Sequence, residues 1–422
     1  MVHIPAVRPP RVFPDTSELR PFLDDWLAAH GESLVSFRRQ LHAHPELSFE
    51  EYETTRLLAG RLSAAGLNPR PLPGGTGLIC DIGDGTGPIV ALRADLDALP
   101  LQDNKKVSYK STVDGVCHAC GHDVHTTVVL GAGLALAAAG GLPGTVRLVL
   151  QPAEEVFPSG APRMIAAGAL TGVSTIYALH CDPKLLAGQI GLRAGPLTAA
   201  ADALRVTLTG PGGHTARPQL TADLVNALGR VVTEVPALLD RRVDPRASLS
   251  LVFGVIQAGR AANAIPESGH ALGTVRVLDR EAWLAAPELI TQLVRQVVAP
   301  TGAEVEVEYT RGVPPVVNEA TSTAILTSAC EDALGEEAAV ETPTSLGGED
   351  FSWYLERVPG ALARLGVGRA GENLDLHQGS FDIDERAIGA GVRLLTHAAV
   401  AALRVAAQPV EAQPVVAQSP GS

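Results

Sequence analysis

Between Cys117 and His125 the segment GVCHACGHDVHTT carries Cys117, His118, Cys120, His122, Asp123 and His125. Thiolate, imidazole and carboxylate are the donors a divalent transition metal takes from a protein. Three readings compete for this segment. Cys117 and Cys120 form a CxxC, which is half of a structural zinc site or a thiol-disulfide pair. The chain has no second CxxC to complete a zinc ribbon, and the segment lacks the early βαβ context of a redox motif. A helix start decorated with satisfied surface histidines is the plainest reading. The third is a partial catalytic metal site that awaits ligands from elsewhere.

Further donors close other apolar runs. RADLDALP ends a strand-like run with Asp95 and Asp97, a pattern that on its own more often marks a turn or a helix cap. TVRLVLQPAEE ends with Glu154 and Glu155, STIYALHCDP with His180, and LDLHQGSFDIDE offers His377 before a helix. Each His alone is an ordinary structural residue, but ligand-type clusters at successive strand ends together favour a metal site.

The elements that must position these residues alternate. Ser48 followed by Glu51 predicts a capping box opening a helix to about residue 62. GLICDIG and PIVALRADLD read as strands, the second apolar enough for a sheet covered on both faces. A helix from His122 to about Ala139, the strand TVRLVLQ, a short helix near Arg163 to Ala167 and the strand STIYALH follow. From about Ala203 the order becomes strand, helix, strand, strand, helix, strand, a split βαβ unit large enough to stand as a domain. Helix and strand alternation then resumes after Gly312. The expected fold is α/β: a catalytic domain with a mixed sheet covered by helices, residues 15–199 and 313–405, interrupted by a βαββαβ domain at 200–312. The Pro-rich start (1–14) and the Pro, Gln and Ala-rich end (406–422) are expected to be disordered.

Composition narrows the partners. A chain of 422 residues, 46% apolar and 19% charged, is long enough for two or three folded domains. Its 33 Lys and Arg against 46 Asp and Glu leave a net charge of −13, which repels phosphate backbones and anionic lipid, so neither nucleic acid nor membrane is an expected partner. No apolar run reaches the ~18 residues of a membrane span, and the N-terminus lacks a secretory signal. Five irregularly spaced cysteines make no disulfide framework, so the expected location is the cytoplasm.

The motifs HAHPELSFEE (42–51), RADLDALP (93–100), HACGHDVH (118–125), QPAEE (151–155), ALH (178–180), GPGGHTARP (210–218), NAIP (263–266), GGEDF (347–351) and LH (376–377) occur in this order. Together, across about residues 38–400, they resemble the amidohydrolase branch of the M20 metallopeptidase family, which includes aminoacylase, hippurate hydrolase and auxin-conjugate hydrolases. The resemblance implies two divalent ions per subunit, zinc or manganese, with cobalt or nickel as alternatives, held by Cys120, His122, Glu155, His180 and His377. It implies Glu154 as general base, with Asp95 and Asp97 orienting ligands and Cys117 a bystander. It makes the inserted domain a lid that carries a homodimer contact, with His214 reaching a neighbouring subunit to stabilise the oxyanion, and Asn263 and Arg276 holding the substrate carboxylate. The implied substrate is a small N-acyl amino acid. A dipeptidase or carboxypeptidase on the same scaffold is the alternative within enzymes, and a thiol-disulfide protein built on Cys117 and Cys120 the alternative outside them. Two departures stand out: LHQGSF has Gly379 where the family often has Pro, predicting a looser loop, and GGHTARP departs from the commoner forms at Thr215.

Overall fold

The computed structural model describes residues 18–408, so most of the terminal segments expected to be disordered lie outside the described residues. The last helix continues to Ala407, two residues past the expected boundary.

One mixed sheet carries the candidate site. Its eight strands run in the order Arg70–Pro71, Leu78–Ile82, Thr145–Gln151, Ile89–Asp95, Val173–Leu186, Gly360–Gly368, Ile190–Leu192 and Ala339–Glu341. The four central strands, Thr145–Gln151 through Gly360–Gly368, are mutually parallel, and antiparallel neighbours flank them. The central strands are buried along most of their length, as parallel strands covered on both faces must be. Helices Leu19–Ala43, His122–Ala139, Ala320–Leu334 and Arg386–Ala407 lie on one face, their apolar residues merging with Leu92, Leu148, Leu179 and Leu365. A smaller cluster of Ile79, Met164, Phe351, Tyr354 and Leu362 covers the other face. Arg386–Ala407 is long and apolar enough to cross a membrane, but 72% of its most apolar window is buried in this helical layer.

The segment between Ala200 and Val313 forms a second antiparallel sheet, in the order Ser250–Ala258, Ser268–Val277, Ala200–Thr209 and Glu304–Val313. Helices Leu224–Leu239 and Arg280–Val298 pack on it and close a separate core around Leu204, Val231, Trp283 and Ile290. The strand alternation is visible in the burial of Ala200–Thr209, whose even-numbered residues face the helices. The two chain crossings into this unit are tied together, because Gly195–Thr198 pairs with Val316–Asn318. Arg280 also reaches across to Glu356 with two bonds of 2.7 Å.

The capping box is not formed. The helix starts at Tyr52, where Glu46 instead accepts the N–H groups of Glu53 (2.9 Å) and Thr54 (2.8 Å). Ser48 and Glu51 face inward: Ser48 Oγ donates to Asp97 at 2.6 Å, and Glu51 accepts from Ala153 at 2.8 Å. Tertiary partners outcompete the local cap at both positions. Gly379 also differs from expectation. A Cβ there would lie 2.2 Å from the Gln102 carbonyl, and Asn104 N–H donates to the Gly379 carbonyl at 2.7 Å. The missing side chain seats this loop closely against residues 102–104; it does not loosen it.

Candidate metal centre and active site

The strand ends and loops bring Cys120, His122, Glu155, His180 and His377 together. Cys120 Sγ lies 3.5 Å from His180 Nε2, His122 Nε2 lies 3.8 Å from Glu155 Oε1, and His377 Nε2 lies 3.3 Å from the same Glu155 oxygen. Their donor atoms form overlapping groups compact enough for metal ions: Cys120, His122 and His180 on one side, Cys120, Glu155 and His377 on the other. Cys120 belongs to both groups, the arrangement a bridging ligand requires.

The tautomers follow from the other ring nitrogens. His122 Nδ1 donates to the Asp97 carbonyl at 2.9 Å, and His180 Nδ1 donates to the Cys181 carbonyl at 2.8 Å. In its neutral form each ring therefore presents the lone pair of Nε2 to the cluster. His122 Nε2 and Glu155 Oε1 are buried and have no hydrogen-bond partner, a costly arrangement for polar atoms unless a ligand meets them. The orphaned donors and the mixture of thiol, imidazole and carboxylate fit divalent ions. Burial would lower the His122 imidazole, but Asp95 and Cys120 outweigh it and raise its pKa. At His180 burial, reinforced by His125 and Arg364, holds the ring neutral. Burial, together with Glu155, pushes the Cys120 thiol up.

The histidines of this loop are not surface residues: His118, His122 and His125 are all buried. His125 is excluded as a ligand because both nitrogens are occupied, Nδ1 donating to Asp95 at 2.7 Å and Nε2 accepting from Cys181 N–H at 2.8 Å. The loop itself is anchored from behind. Asp123 accepts from His42 Nδ1 at 2.7 Å and pairs with Arg38 Nε at 2.7 Å.

Asp95 and Asp97 are neither turn nor cap residues. Asp97 accepts the backbone N–H groups of Glu154 and Glu155, both at 3.0 Å, and so fixes the two carboxylate-bearing residues and His122 in one frame. Asp95 holds His125 and pairs with Arg93 at 2.7 Å. Ala153, one residue before Glu154, has φ +54, and His377 has φ +58. Such left-handed conformations cost about 1–3 kcal/mol each and persist where the surroundings over-determine them.

Glu51 supplies part of that constraint. It is buried, its Oε1 accepts from Phe49 N–H (3.0 Å) and Ala153 N–H (2.8 Å), and its Oε2 has no partner. Burial pushes its carboxyl from an ordinary 4.5 up to about 7. A carboxyl raised in the folded state stabilises the fold fully only below its unfolded pKa, and the contribution is lost as pH rises through the folded value. Glu51→Gln keeps the acceptor and removes the charge. It is expected to gain stability over wild type between about pH 5 and pH 8, by up to about 3 kcal/mol at the upper end. Urea midpoints at the two pH values read the gain, and an unchanged difference between the proteins would contradict it.

The cluster lines one side of a cavity of about 340 Å³. Glu154, Glu155, Glu349, His180 and His377 lie on its wall, with Arg276, Thr198, Ala201, Val313 and Gly348 from the junction with the second unit. Glu154 sits beside the donor groups, and burial with the nearby Glu349, Glu155 and Asp350 raises its pKa. Arg276 is therefore placed with the site. His214 and Asn263 are not: both are exposed, on or beside the short ribbon in which Gly213–His214 pairs with Ala264–Ile265, and neither lines the cavity of its own chain. There His214 Nδ1 accepts from Ala216 N–H, and the Asn263 carbonyl accepts from Thr215 N–H.

Several contributors are invisible as motifs of chemistry. Glu349 and Asp350 lie within GGEDF, whose sequence alone points to no role for them. Both pair with the buried Arg93, at 3.2 and 2.6 Å, and Gln151 donates to Asp350 at 2.8 Å. Arg364 on the cavity wall carries no local signal at all. The thiol-disulfide reading loses its physical basis: Cys117 and Cys120 are free and buried, burial lifts Cys117 to about 11, and Cys120 faces the histidines.

Residues 91–401 match the model of peptidase family M20/M25/M40. The N-acetylcysteine deacetylase of Bacillus subtilis is 36% identical over 375 residues, 88% of this chain and 97% of that protein. The IAA-amino acid hydrolase ILR1-like 4 of Arabidopsis thaliana is 34% identical over 375 residues, 87% of this chain and 84% of that protein. A Rhodococcus jostii protein named putative glutamate–cysteine ligase 2-3 is 51% identical over 365 residues, and the chain spans 46% of that protein's length. Among solved structures, a dinuclear metal-binding peptidase of the M20 family from Bacillus subtilis superposes with a TM-score of 0.80 at 34% identity, covering 89% of this chain and 99% of that one. The chain belongs to the M20 peptidase family, in its amidohydrolase branch. Its α/β fold and its family follow the expectation drawn from the motifs.

Proposed function

We propose that the protein cleaves the amide of N-acyl amino acids or similar small conjugates, giving a carboxylic acid and a free amino acid. The observation that carries this reading is the single cavity in which Glu154 stands beside the donor cluster while Arg276 enters from the second unit. Cys120, His122, Glu155, His180 and His377 would hold the two ions, zinc or manganese best suiting thiolate with imidazole and carboxylate, and cobalt or nickel accepting the same donors. When bound, the ions supply Lewis acidity for the scissile carbonyl and acidify water. Glu154 takes the proton of the attacking water and delivers it to the departing amine, Asp97 holds the Glu154 backbone in place for that shuttle, and Arg276 binds the substrate carboxylate.

The unit from Ala200 to Val313 acts as a lid and dimerisation domain in this reading. His214 and Asn263 cannot serve the cavity of their own chain from their exposed ribbon, which supports a homodimer in which they complete a second copy's site, His214 facing the oxyanion and Asn263 the substrate carboxylate. The edge strand Ser250–Ala258 supports the same assembly by exposing Val252, Val255 and Ile256. Five free cysteines suit a cytoplasmic location.

Acetyl, benzoyl and indolylacetyl amino acids compared with dipeptides, in the presence of added divalent ion, test the reaction class. The acyl amino acids are expected to exceed the dipeptides at least tenfold in kcat/KM, and the reverse order would establish the dipeptidase.

A further inference from the structure

The cavity wall holds two guanidiniums, and the reaction above uses one. Arg364 lies on strand Gly360–Gly368 in register with His180 of the neighbouring parallel strand. Alternation along its strand sends Ala361, Ala363, Leu365 and Val367 into the helix-covered core, while Leu362 enters the cluster on the other face. Arg364 shares the face of Leu362 and lines the cavity with Arg276.

Packing does not explain a cation at this place. Arg364 is part-buried, forms no hydrogen bond or ion pair with any described residue, and keeps its nitrogens open to the cavity. The acids near it are engaged elsewhere: Glu349 pairs with Arg93 at 3.2 Å and accepts from Phe351 N–H at 3.0 Å, and Asp182 accepts from Lys184 N–H at 2.9 Å. The fully buried arginines, by contrast, are paired with carboxylates, Arg93 with Asp95 and Asp350 and Arg38 with Asp123. Thr198, on the same wall, is 2% exposed and its Oγ1 has no partner. Arg276 is likewise unpaired among the described residues, and Gly348 leaves room beside it: a Cβ there would meet Ala201 at 2.9 Å and lie 3.8 Å from Arg276 Nη1. An unpaired guanidinium held on a partly enclosed cavity wall offers a strong charge-assisted pair to a ligand anion.

We infer that the substrate carries two carboxylates: an N-acyl amino acid with a second acid group, on its acyl part or on its side chain, one carboxylate held by Arg276 and the other by Arg364 with the Thr198 hydroxyl. The cavity of about 340 Å³ suits a small conjugate of this kind. The inference rests on the amidohydrolase reading and narrows it.

Initial rates on N-succinyl-leucine, N-acetyl-glutamate and N-acetyl-leucine test it and separate acyl from side-chain placement. One dicarboxylate is expected to exceed N-acetyl-leucine at least tenfold in kcat/KM, the order expected for one charge-assisted pair. Arg364→Met should bring that ratio to about one, and Arg364→Lys should keep part of it. N-acetyl-leucine turned over as well as both dicarboxylates, or a ratio unaffected by Arg364→Met, overturns the inference. Should Arg364→Met fail to fold by thermal melt, the wild-type ratio and the Lys variant decide. If wild type hydrolyses none of the three, the amidohydrolase reading fails separately, and calorimetric binding of glutarate against butyrate decides: at least tenfold tighter glutarate upholds the dicarboxylate site, and equal affinity overturns it.

Discussion

Glu154→Gln is expected to lower kcat by about 10²–10⁴ while leaving two metal ions bound per chain. Glutamine preserves the shape and one acceptor oxygen of a side chain that the Asp97 contact to its own backbone already positions. It cannot take a proton from water. Glu155, the adjacent residue, lies 3.8 Å from His122 and 3.3 Å from His377, so the neighbouring acids are expected to have separable tasks. Metal analysis and steady-state rates on the same preparation read both quantities. Turnover near wild type would remove Glu154 as the base, and loss of metal would make it a ligand.

Arg93→Met is expected to destabilise the fold by about 3–5 kcal/mol. Arg93 is 1% exposed and meets Asp95 at 2.7 Å, Asp350 at 2.6 Å and Glu349 at 3.2 Å, with Gln151 accepting from its Nε at 2.9 Å. Removing the guanidinium leaves three carboxylates close together, with Asp95 and Asp350 fully buried and Glu349 4% exposed. Methionine fills much of the aliphatic volume, so the loss reports charge more than cavity formation. Equilibrium urea unfolding measures it, and a change below about 1 kcal/mol would mean that the acids are already neutral in the native state.

The sequence was informative where function is written into strand ends. Apolar runs closed by Asp95, Glu154 with Glu155, and the STIYALH segment with His180 locate the central strands, although the last of these continues past the histidine to Leu186. Ligand types in HACGH are equally legible because a metal accepts few donors. The choice of partner for a buried polar group is not local. Ser48 and Glu51 have the spacing of a cap yet bond to Asp97 and Ala153 because those groups arrive from distant segments. His125 looks like a ligand until Asp95 and the Cys181 N–H are seen to occupy both its nitrogens. Gly379 reads as slack in one dimension and is a close contact in three. Arg364 has the least signature of all, since a single arginine in an apolar strand says nothing of the cavity beside it.

Anomalous diffraction from crystals of the metal-loaded protein locates the ions themselves. Two peaks about 3.5–4 Å apart are predicted, with Cys120 touching both and His122, Glu155, His180 and His377 completing the ligands. A single peak, or ions held by residues outside this set, would contradict the proposed centre.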